Sequence, residues 1–285
     1  QAYMGGLGVG LACLALDSTL PFWALLPITM LASMLFGALF APIPAYLQAY
    51  RGSHIVITTI MFNFLAASLM VYLMVNVLNE PGQMSPQSAK FPETVWLPFM
   101  HEFLAGFGIE VEKSPLNLSL FLALIAAVFI WIFIWHTRWG YQIRTTGSNA
   151  TAAVYGGIKP TKIIILSMCI SGALAGMVGV NEIMGVNHRL LLDFHVGYGF
   201  AGIAVALMGR NHPIGIVFAA LLFGVLYQGG AEMGFEMSNV SRDIVIVMQG
   251  LVILFSGALE FMYRNLVTRI YYSLTSKKDM QEATS

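Results

Sequence analysis

The chain has 285 residues, of which 58% are hydrophobic and only 10% are charged, and its mean hydropathy is +0.75. A water-soluble domain of this length needs more polar surface than this composition supplies, so the sequence excludes a soluble protein and indicates an integral membrane protein. Basic and acidic residues are equal at 14 each, so the net charge gives no indication of nucleic-acid binding.

Eight apolar runs predict membrane segments, because about 20 helical residues cross the hydrocarbon core. They are Ala2 to Leu16, Pro21 to Leu47, Ile55 to Leu78, Leu116 to His136, Lys162 to Val180, Gly197 to Gly209, Ile214 to Gln228 and Ile244 to Phe261. We therefore predict an all-α, polytopic transmembrane helical bundle over residues 1–262 and a polar tail over 263–285. The chain begins inside its first run without an initiating Met, so we expect further N-terminal helices before it. The sixth run is short enough for a broken or re-entrant helix.

Charges are distributed unequally between the two predicted sides of the membrane. With eight crossings from a cytoplasmic start, one side has ten basic residues against three acidic ones, and the other has four against eleven. Basic residues concentrate in cytoplasmic loops. This places loop 137–161 and tail 263–285 inside the cell and loop 79–115 outside, and it favours a sixth segment that crosses. Five prolines disfavour a long helix in the external loop. The aromatic residues make part of the external loop apolar enough to lie on the membrane surface or under a partner protein.

The predicted spans carry neutral polar side chains and no Asp, Glu, Lys or Arg near their centres. Ionisable residues are costly there and are usually retained for function, so a proton-driven carrier or a membrane-embedded enzyme lacks its usual residues. Neutral groups suit a polar, uncharged solute, and Asn63, Thr59 and Ser68 form the candidate solute path. Each of two residues also has a structural alternative to a pathway role. Thr59 can bond back to its own helix, and Asn63 can join two helices.

No metal or cofactor site is predicted. Cys13 and Cys169 lie inside apolar runs, where small buried cysteines are expected. His188 and His195 lie seven residues apart in a loop without a ligand cluster, which favours ordinary surface residues.

The fifth run has glycine at positions 172 and 176, one helical turn apart. This spacing allows two helix backbones to approach closely. It predicts helix packing and says nothing about function.

The most structured connection between two runs is residues 137–161, which are polar and basic. Asn149 can cap a short helix over residues 150–155, and Gly156 and Gly157 can end it. A helix of about two turns is not stable alone in water, so we expect its flanks or a partner to hold it. Its predicted surface combines small residues with one aromatic residue, which suits docking. Composition alone equally allows an ordinary loop with one helical turn. The surface residues are Ala152, Ala153 and Tyr155.

This connection resembles the cytoplasmic coupling segment of bacterial ABC importer permeases of the ribose, branched-chain amino acid and nucleoside group. A pattern close to G-x-x-I-R-A-x-G-x-N-x-x-A-A-x-Y-x-G-I recurs in that group. The matching residues are Gly140, Ile143, Arg144, Gly147, Asn149, Ala152, Ala153, Tyr155, Gly157 and Ile158.

Two further stretches resemble the same group and occur in the same order. IVITTIMFNFLA at residues 55–66 is similar to E-V-I-S-T-I-M-L-N-F-I-A, with Ile55 where Glu is usual. Residues 200–224 are similar to G-I-A-V-A-L-L-G-x-x-x-P-x-G through Gly202 to Gly209, Pro213 and Gly215. The resemblance is nearest to the nucleoside and simple-sugar uptake permeases.

The resemblance implies a non-enzymatic permease subunit of an ATP-driven importer in the bacterial inner membrane. It implies three protein partners in the lipid bilayer or at its surfaces: a second related permease subunit forming a heterodimer, a cytoplasmic ATPase with two fused nucleotide-binding halves, and a periplasmic or lipoprotein solute-binding protein. The chain has no G-x-x-x-x-G-K-[ST] phosphate loop, so ATP hydrolysis is expected on the partner chain. The residues expected to couple to the ATPase are Arg144, Gly147, Asn149, Ala152, Ala153, Tyr155, Gly157 and Ile158.

The implied solute is a nucleoside, with a ribose-type sugar as the alternative. A secondary carrier or channel that works alone is the alternative from another functional class. The two classes differ in one expectation, since the carrier or channel transports without an ATPase.

Overall fold

The structure, a computed structural model, describes residues 1–16, 21–79, 82, 85–105, 108, 115–195 and 197–236, together with 244, 247, 248, 250–252, 254 and 255. The described chain is helical, and its strand-like pairings are two isolated bridges, Gln87 with Leu191 and Phe99 with Asn117. The predicted all-α membrane fold is confirmed. The chain divides into two compact units, residues 1–197 and 198–285.

The first unit contains nine α-helices and a π-helix among its described residues. They are α1 (Ala2–Leu16), α2 (Phe22–Phe40), α3 (Pro42–Arg51), α4 (Ile55–Asn76), α5 (Met100–Ala105), α6 (Ser119–His136), α7 (Arg138–Ser148), α8 (Ala150–Tyr155), α9 (Pro160–Gly176) and the π-helix Val180–Asn187. A short 3₁₀ helix, Glu93–Val95, lies between α4 and α5. The second unit contains α10 (Tyr198–Met208) and α11 (Pro213–Glu236).

Five helical stretches in the described chain are long and apolar enough to cross a membrane. They are Phe22–Arg51, Ile55–Asn76, Ser119–His136, Pro160–Asn187 and Pro213–Gly230. The helices α1 and α10 are apolar but shorter. With 11 residues, α10 is about 17 Å long, whereas the hydrocarbon core is about 30 Å thick. Its length favours the broken or re-entrant interpretation over the complete crossing that the charge distribution favours. Most of the eighth predicted run, and the whole tail, lie outside the described residues.

Glycines bring α1, α2 and α9 into backbone contact. A Cβ atom at Gly176 would lie 2.4 Å from the carbonyl oxygen of Ser33 in α2. A Cβ atom at Gly5 in α1 would lie 2.2 Å from the Cα atom of Gly176, and one at Gly172 would lie 2.5 Å from the carbonyl oxygen of Gly37. The Ser33 hydroxyl donates a hydrogen bond to the Gly176 carbonyl. The close packing predicted at positions 172 and 176 is confirmed, because any larger residue would overlap a neighbouring backbone.

Residues 85–99 of the predicted external loop pack on the core of the first unit, to which they belong, and we call them the external strap. Val95 and Leu97 in this strap are buried in the main apolar core together with Ile183 of the π-helix. The backbone N–H of Leu97 donates to the carbonyl of Met184 at 3.0 Å. The strap therefore covers the π-helix of its own chain, and the expectation that this loop lies on the membrane surface or under a partner stays a prediction.

The strap is also held by an aromatic contact outside the predicted spans. The rings of Trp96 and His188 stack with centroids 3.9 Å apart and planes 16° apart, and the Lys90 ammonium lies 4.7 Å from the Trp96 ring centre. Burial lowers the pKa of His188 from its ordinary value. The hydrogen bond to the Met184 carbonyl acts in the opposite direction, and Lys90 lowers the pKa further. His188 is thus a half-buried residue packed against the strap, and not the ordinary surface residue that the sequence predicts.

Candidate functional site

A sharp turn joins α6 to α7 at the start of the predicted coupling segment. The Thr137 hydroxyl accepts a hydrogen bond from the Gly140 N–H at 3.1 Å and donates one to the Phe133 carbonyl. A Cβ atom at Gly140 would lie 2.2 Å from the Phe133 carbonyl oxygen, so this turn requires glycine. The helix α7 was not predicted from the sequence, although Trp139 and Ile143 stand four residues apart on one helical face.

The short helix predicted after Asn149 is confirmed as α8, and both its ends are capped as expected. The Asn149 side chain accepts a hydrogen bond from the Ala152 N–H at 3.0 Å. At the other end the Ile158 N–H donates to the Ala153 carbonyl at 2.9 Å, and Gly157 has a φ of +77°. These are the features of a Schellman motif with glycine in the left-handed conformation.

One face of α8 packs on its own chain and the other is open. Ala153 and Ile158 are buried against Ile163 of α9. Ala152 is exposed, and Tyr155 is 90% exposed. The expectation that Ala153 contributes to the outer docking surface is therefore corrected, since its methyl group anchors α8 to α9. Tyr155 and Ala152 remain as the surface that another protein can reach.

Arg144 lies on α7 and is held against the end of α6. Its guanidinium lies 4.5 Å from the ring centre of Trp135, a cation–π contact. Gly147, further along α7, is exposed. Arg144 thus helps to fix α7 beside α6, while the coupling role predicted for both residues stays a prediction.

The three predicted solute-path residues do not lie on one face of α4. Thr59 and Asn63 are four residues apart and share a face, whereas Ser68 is nine residues from Thr59 and therefore points to the opposite side. The Thr59 hydroxyl donates to the carbonyl of Ile55 at 2.9 Å, which is the bond to its own helix left open above. Asn63 and Ser68 are both exposed in the described chain, and the part of each in a solute path stays a prediction.

A buried polar cluster lies between α6 and the π-helix, and it was not predicted from the sequence. The Asn117 amide donates to the Asn181 side-chain oxygen at 3.0 Å, and the Ser119 hydroxyl donates to the same oxygen at 2.7 Å. The Asn181 amide donates to the Glu182 carboxylate at 2.9 Å. Glu182 is only 6% exposed. Because α6 has no buried residue of its own, this cluster holds one end of an otherwise lipid-compatible helix.

Glu182 also corrects the expected distribution of acidic residues. The fifth apolar run ends at residue 180, so Glu182 was assigned to the external side. In the structure the membrane-length helical stretch continues to Asn187 and includes this carboxylate. The signal available in the sequence was the neighbouring pair Asn181 and Glu182, because adjacent amide and carboxylate groups at the end of an apolar run can satisfy each other when buried.

The comparisons with known proteins identify the family. A family model described as the branched-chain amino acid transport system / permease component matches residues 2–257. The chain belongs to this permease family. It is a multi-pass permease component of the inner (plasma) membrane, in agreement with its membrane-length helices.

Three relatives are similar over most of the chain. The glucose ABC transporter permease protein TsgB13 of Haloferax volcanii is 34% identical over 254 residues, 88% of this chain and 66% of that protein. The nucleoside ABC transporter permease protein NupB of Lactococcus lactis is 35% identical, covering 83% of this chain and 64% of that protein. The guanosine ABC transporter permease protein NupP of Bacillus subtilis is 34% identical, covering 86% and 69%. The chain thus spans about two thirds of the length of these relatives. No solved structure matches it.

Proposed function

We propose that this chain is the permease subunit of an ATP-driven importer that carries a nucleoside into the cell. The observation that carries this proposal is its similarity to NupB and NupP, whose names state nucleoside and guanosine transport, over 83% and 86% of the chain. A simple sugar is the second candidate solute, because the glucose permease TsgB13 is as similar, at 34% identity. Both solutes are polar and uncharged, which suits the neutral polar groups of α4.

ATP hydrolysis enters through a separate ATPase with two fused nucleotide-binding halves, and α8 is the contact. Three properties of α8 support this role. It is capped at both ends, it is attached to α9 through Ala153, and it presents Tyr155 as an isolated exposed aromatic residue. Movement of the ATPase against Tyr155 can therefore pass into α9, because the packed face of α8 transmits a displacement that a mobile loop would absorb.

A second related permease subunit and an external solute-binding protein complete the importer. Asn63 is exposed and Thr59 is partly exposed on one face of α4 among exposed apolar residues, so a solute path formed by this face requires a wall from another subunit. The external strap gives the first unit an ordered outer surface on which a binding protein can dock. In this arrangement ATP binding and hydrolysis alternate access to the path.

The test is reconstitution of the full-length permease in proteoliposomes, with and without the ATPase and the second permease subunit. We expect uptake of radiolabelled guanosine that requires the complete complex, the binding protein and ATP. Unlabelled adenosine should compete with this uptake. Uptake of glucose without uptake of guanosine would show that the solute is a simple sugar and not a nucleoside. Transport by the permease without ATPase or ATP would show a carrier or channel and contradict the proposal.

A further inference from the structure

A pocket of about 560 Å³ lies beside α7, between the end of α6 and α8. It is lined by Trp135, His136, Thr137, Arg138, Tyr141, Gln142, Arg144, Thr145, Ala152, Gly156 and Ile158. Its volume is in the range of sites for small molecules or parts of them. The pocket lies within the first unit, and its wall comes from three consecutive helices.

The pocket is positively charged. Arg138 and Arg144 line it, and none of its described lining residues is Asp or Glu. The Arg144 guanidinium is positioned by its contact with Trp135, which reduces the conformational freedom lost when the guanidinium binds an anion. Gln142 and Tyr141 add polar donor groups to the lining. This combination suits a phosphate ester, since arginine binds phosphate oxygens through paired N–H groups.

The position of the pocket selects among phosphate-bearing ligands. It opens at the last turn of α6, an apolar helix whose side chains are all partly or fully exposed in this chain and which is long enough to cross the membrane. Trp135 and Trp139 are 47% and 54% exposed at that helix end, where aromatic residues typically mark the depth of lipid head groups. A phospholipid can therefore place its head group in the pocket while its acyl chains lie along α6.

We propose that this pocket binds the head group of an anionic phospholipid. Arg138 and Arg144 bind the phosphate, and Gln142 contacts the rest of the head group. Because Ala152 and Gly156 of α8 form the opposite wall, the bound lipid also stabilises the position of α8 relative to α6. Basic pockets at the cytoplasmic membrane surface are known to recognise anionic lipids, and the geometry assigns such a site to this chain.

The experiment measures lipid binding to the full-length permease, purified in detergent, by native mass spectrometry. The probes are phosphatidylglycerol, zwitterionic phosphatidylcholine and inorganic phosphate. The variants are Arg138→Gln, which removes one charge at an exposed position, and Gln142→Glu, which adds a negative charge. Both leave Arg144 and its contact with Trp135 intact, so both are expected to fold. Arg51→Gln is the matched control, because Arg51 is an exposed arginine at the end of α3 outside the pocket.

We expect phosphatidylglycerol to bind more tightly than phosphatidylcholine. Arg138→Gln and Gln142→Glu should each weaken phosphatidylglycerol binding about fivefold, the effect of one charge near an anionic lipid, whereas Arg51→Gln should change it by less than about twofold. Equal binding of the two lipids, or equal effects of all three variants, would overturn the proposal. Displacement of phosphatidylglycerol by inorganic phosphate at the same site would show a site for soluble anions and would also overturn it.

Discussion

Replacing Tyr155 with alanine should weaken binding of the ATPase without destabilising the permease. The Tyr155 side chain is 90% exposed in this chain, so its removal costs the isolated permease almost no buried surface, and its free energy of unfolding should change by less than about 0.5 kcal/mol. A buried aromatic side chain removes about 150–250 Å² from water. At about 25 cal/mol per Å², complete burial of the exposed part in an ATPase groove contributes at most about 3–6 kcal/mol. Truncation of such an interface residue typically costs 2 kcal/mol or more, which raises Kd about thirtyfold.

The assay measures the Kd between the purified permease and the proposed ATPase partner, together with ATP-dependent uptake in proteoliposomes. Tyr72→Ala is the matched control, since Tyr72 is a 61% exposed tyrosine on α4 toward its predicted external end. Tyr72→Ala should leave the Kd unchanged. A wild-type Kd and normal uptake for Tyr155→Ala would refute the reasoning and remove α8 from the mechanism. Ala153 is unsuited to this test, because a substitution at a buried residue would disturb the packing of α8 before any partner binds.

Three further predictions concern packing, pH and the solute path. Gly176→Ala should lower the free energy of unfolding by about 1–3 kcal/mol, because its Cβ atom would lie 2.4 Å from the Ser33 carbonyl oxygen. Gly224→Ala should not lower it, because a Cβ atom there would meet no atom within 4 Å beyond its own helix backbone and chain neighbours. Burial lowers the pKa of His188 in the folded protein. The free energy of unfolding should therefore be highest above about pH 6.5, the ordinary pKa of histidine, and should decrease as the pH falls through that value toward the folded pKa. His188→Gln should reduce this pH dependence in unfolding scans between about pH 7.5 and 5.5. Asn63→Leu should lower ATP-dependent uptake while the subunits still co-purify, and failure of both Asn63→Leu and Asn63→Ala to assemble would instead show a role in joining helices.

The helix α8 could be predicted in detail because its determinants are local. Asn149 caps an N–H three residues away, and Gly157 ends the helix through hydrogen bonds that close within five residues. Such contacts depend on the order of residues and hardly on the rest of the fold. The orientation of α8 could not be obtained in the same way. Whether Ala152 or Ala153 faces the chain depends on the position of α9, which a short amphipathic pattern does not specify.

The buried polar cluster and the packing of the external strap were not predicted from the sequence, because both depend on contacts between distant segments. Glu182 became part of a membrane-length stretch because its carboxylate is satisfied by Asn181, which in turn accepts hydrogen bonds from the start of α6, 62 to 64 residues earlier in the chain. The external strap likewise rests on the π-helix about 90 residues further along. Neither contact leaves a periodic pattern in the sequence, because each joins a few residues in irregular segments.

The sequence by itself determined the membrane environment, the helical class, the membership in a permease family and the caps of α8. The family membership rests on three stretches that resemble the family and on the family match over residues 2–257. The other three follow from composition, from apolar run length or from residues within one helical turn, since the bilayer requires every spanning backbone to satisfy its own hydrogen bonds. Only the tertiary structure decided that Gly176 meets Ser33, that Ala153 faces inward and that Arg144 and Trp135 form one wall of a basic pocket. The physical reason is that apolar helices in a bilayer have similar hydrophobic surfaces on all sides. Close packing and a few polar contacts therefore select which helices pair, and the two residues of each such contact lie far apart in the chain.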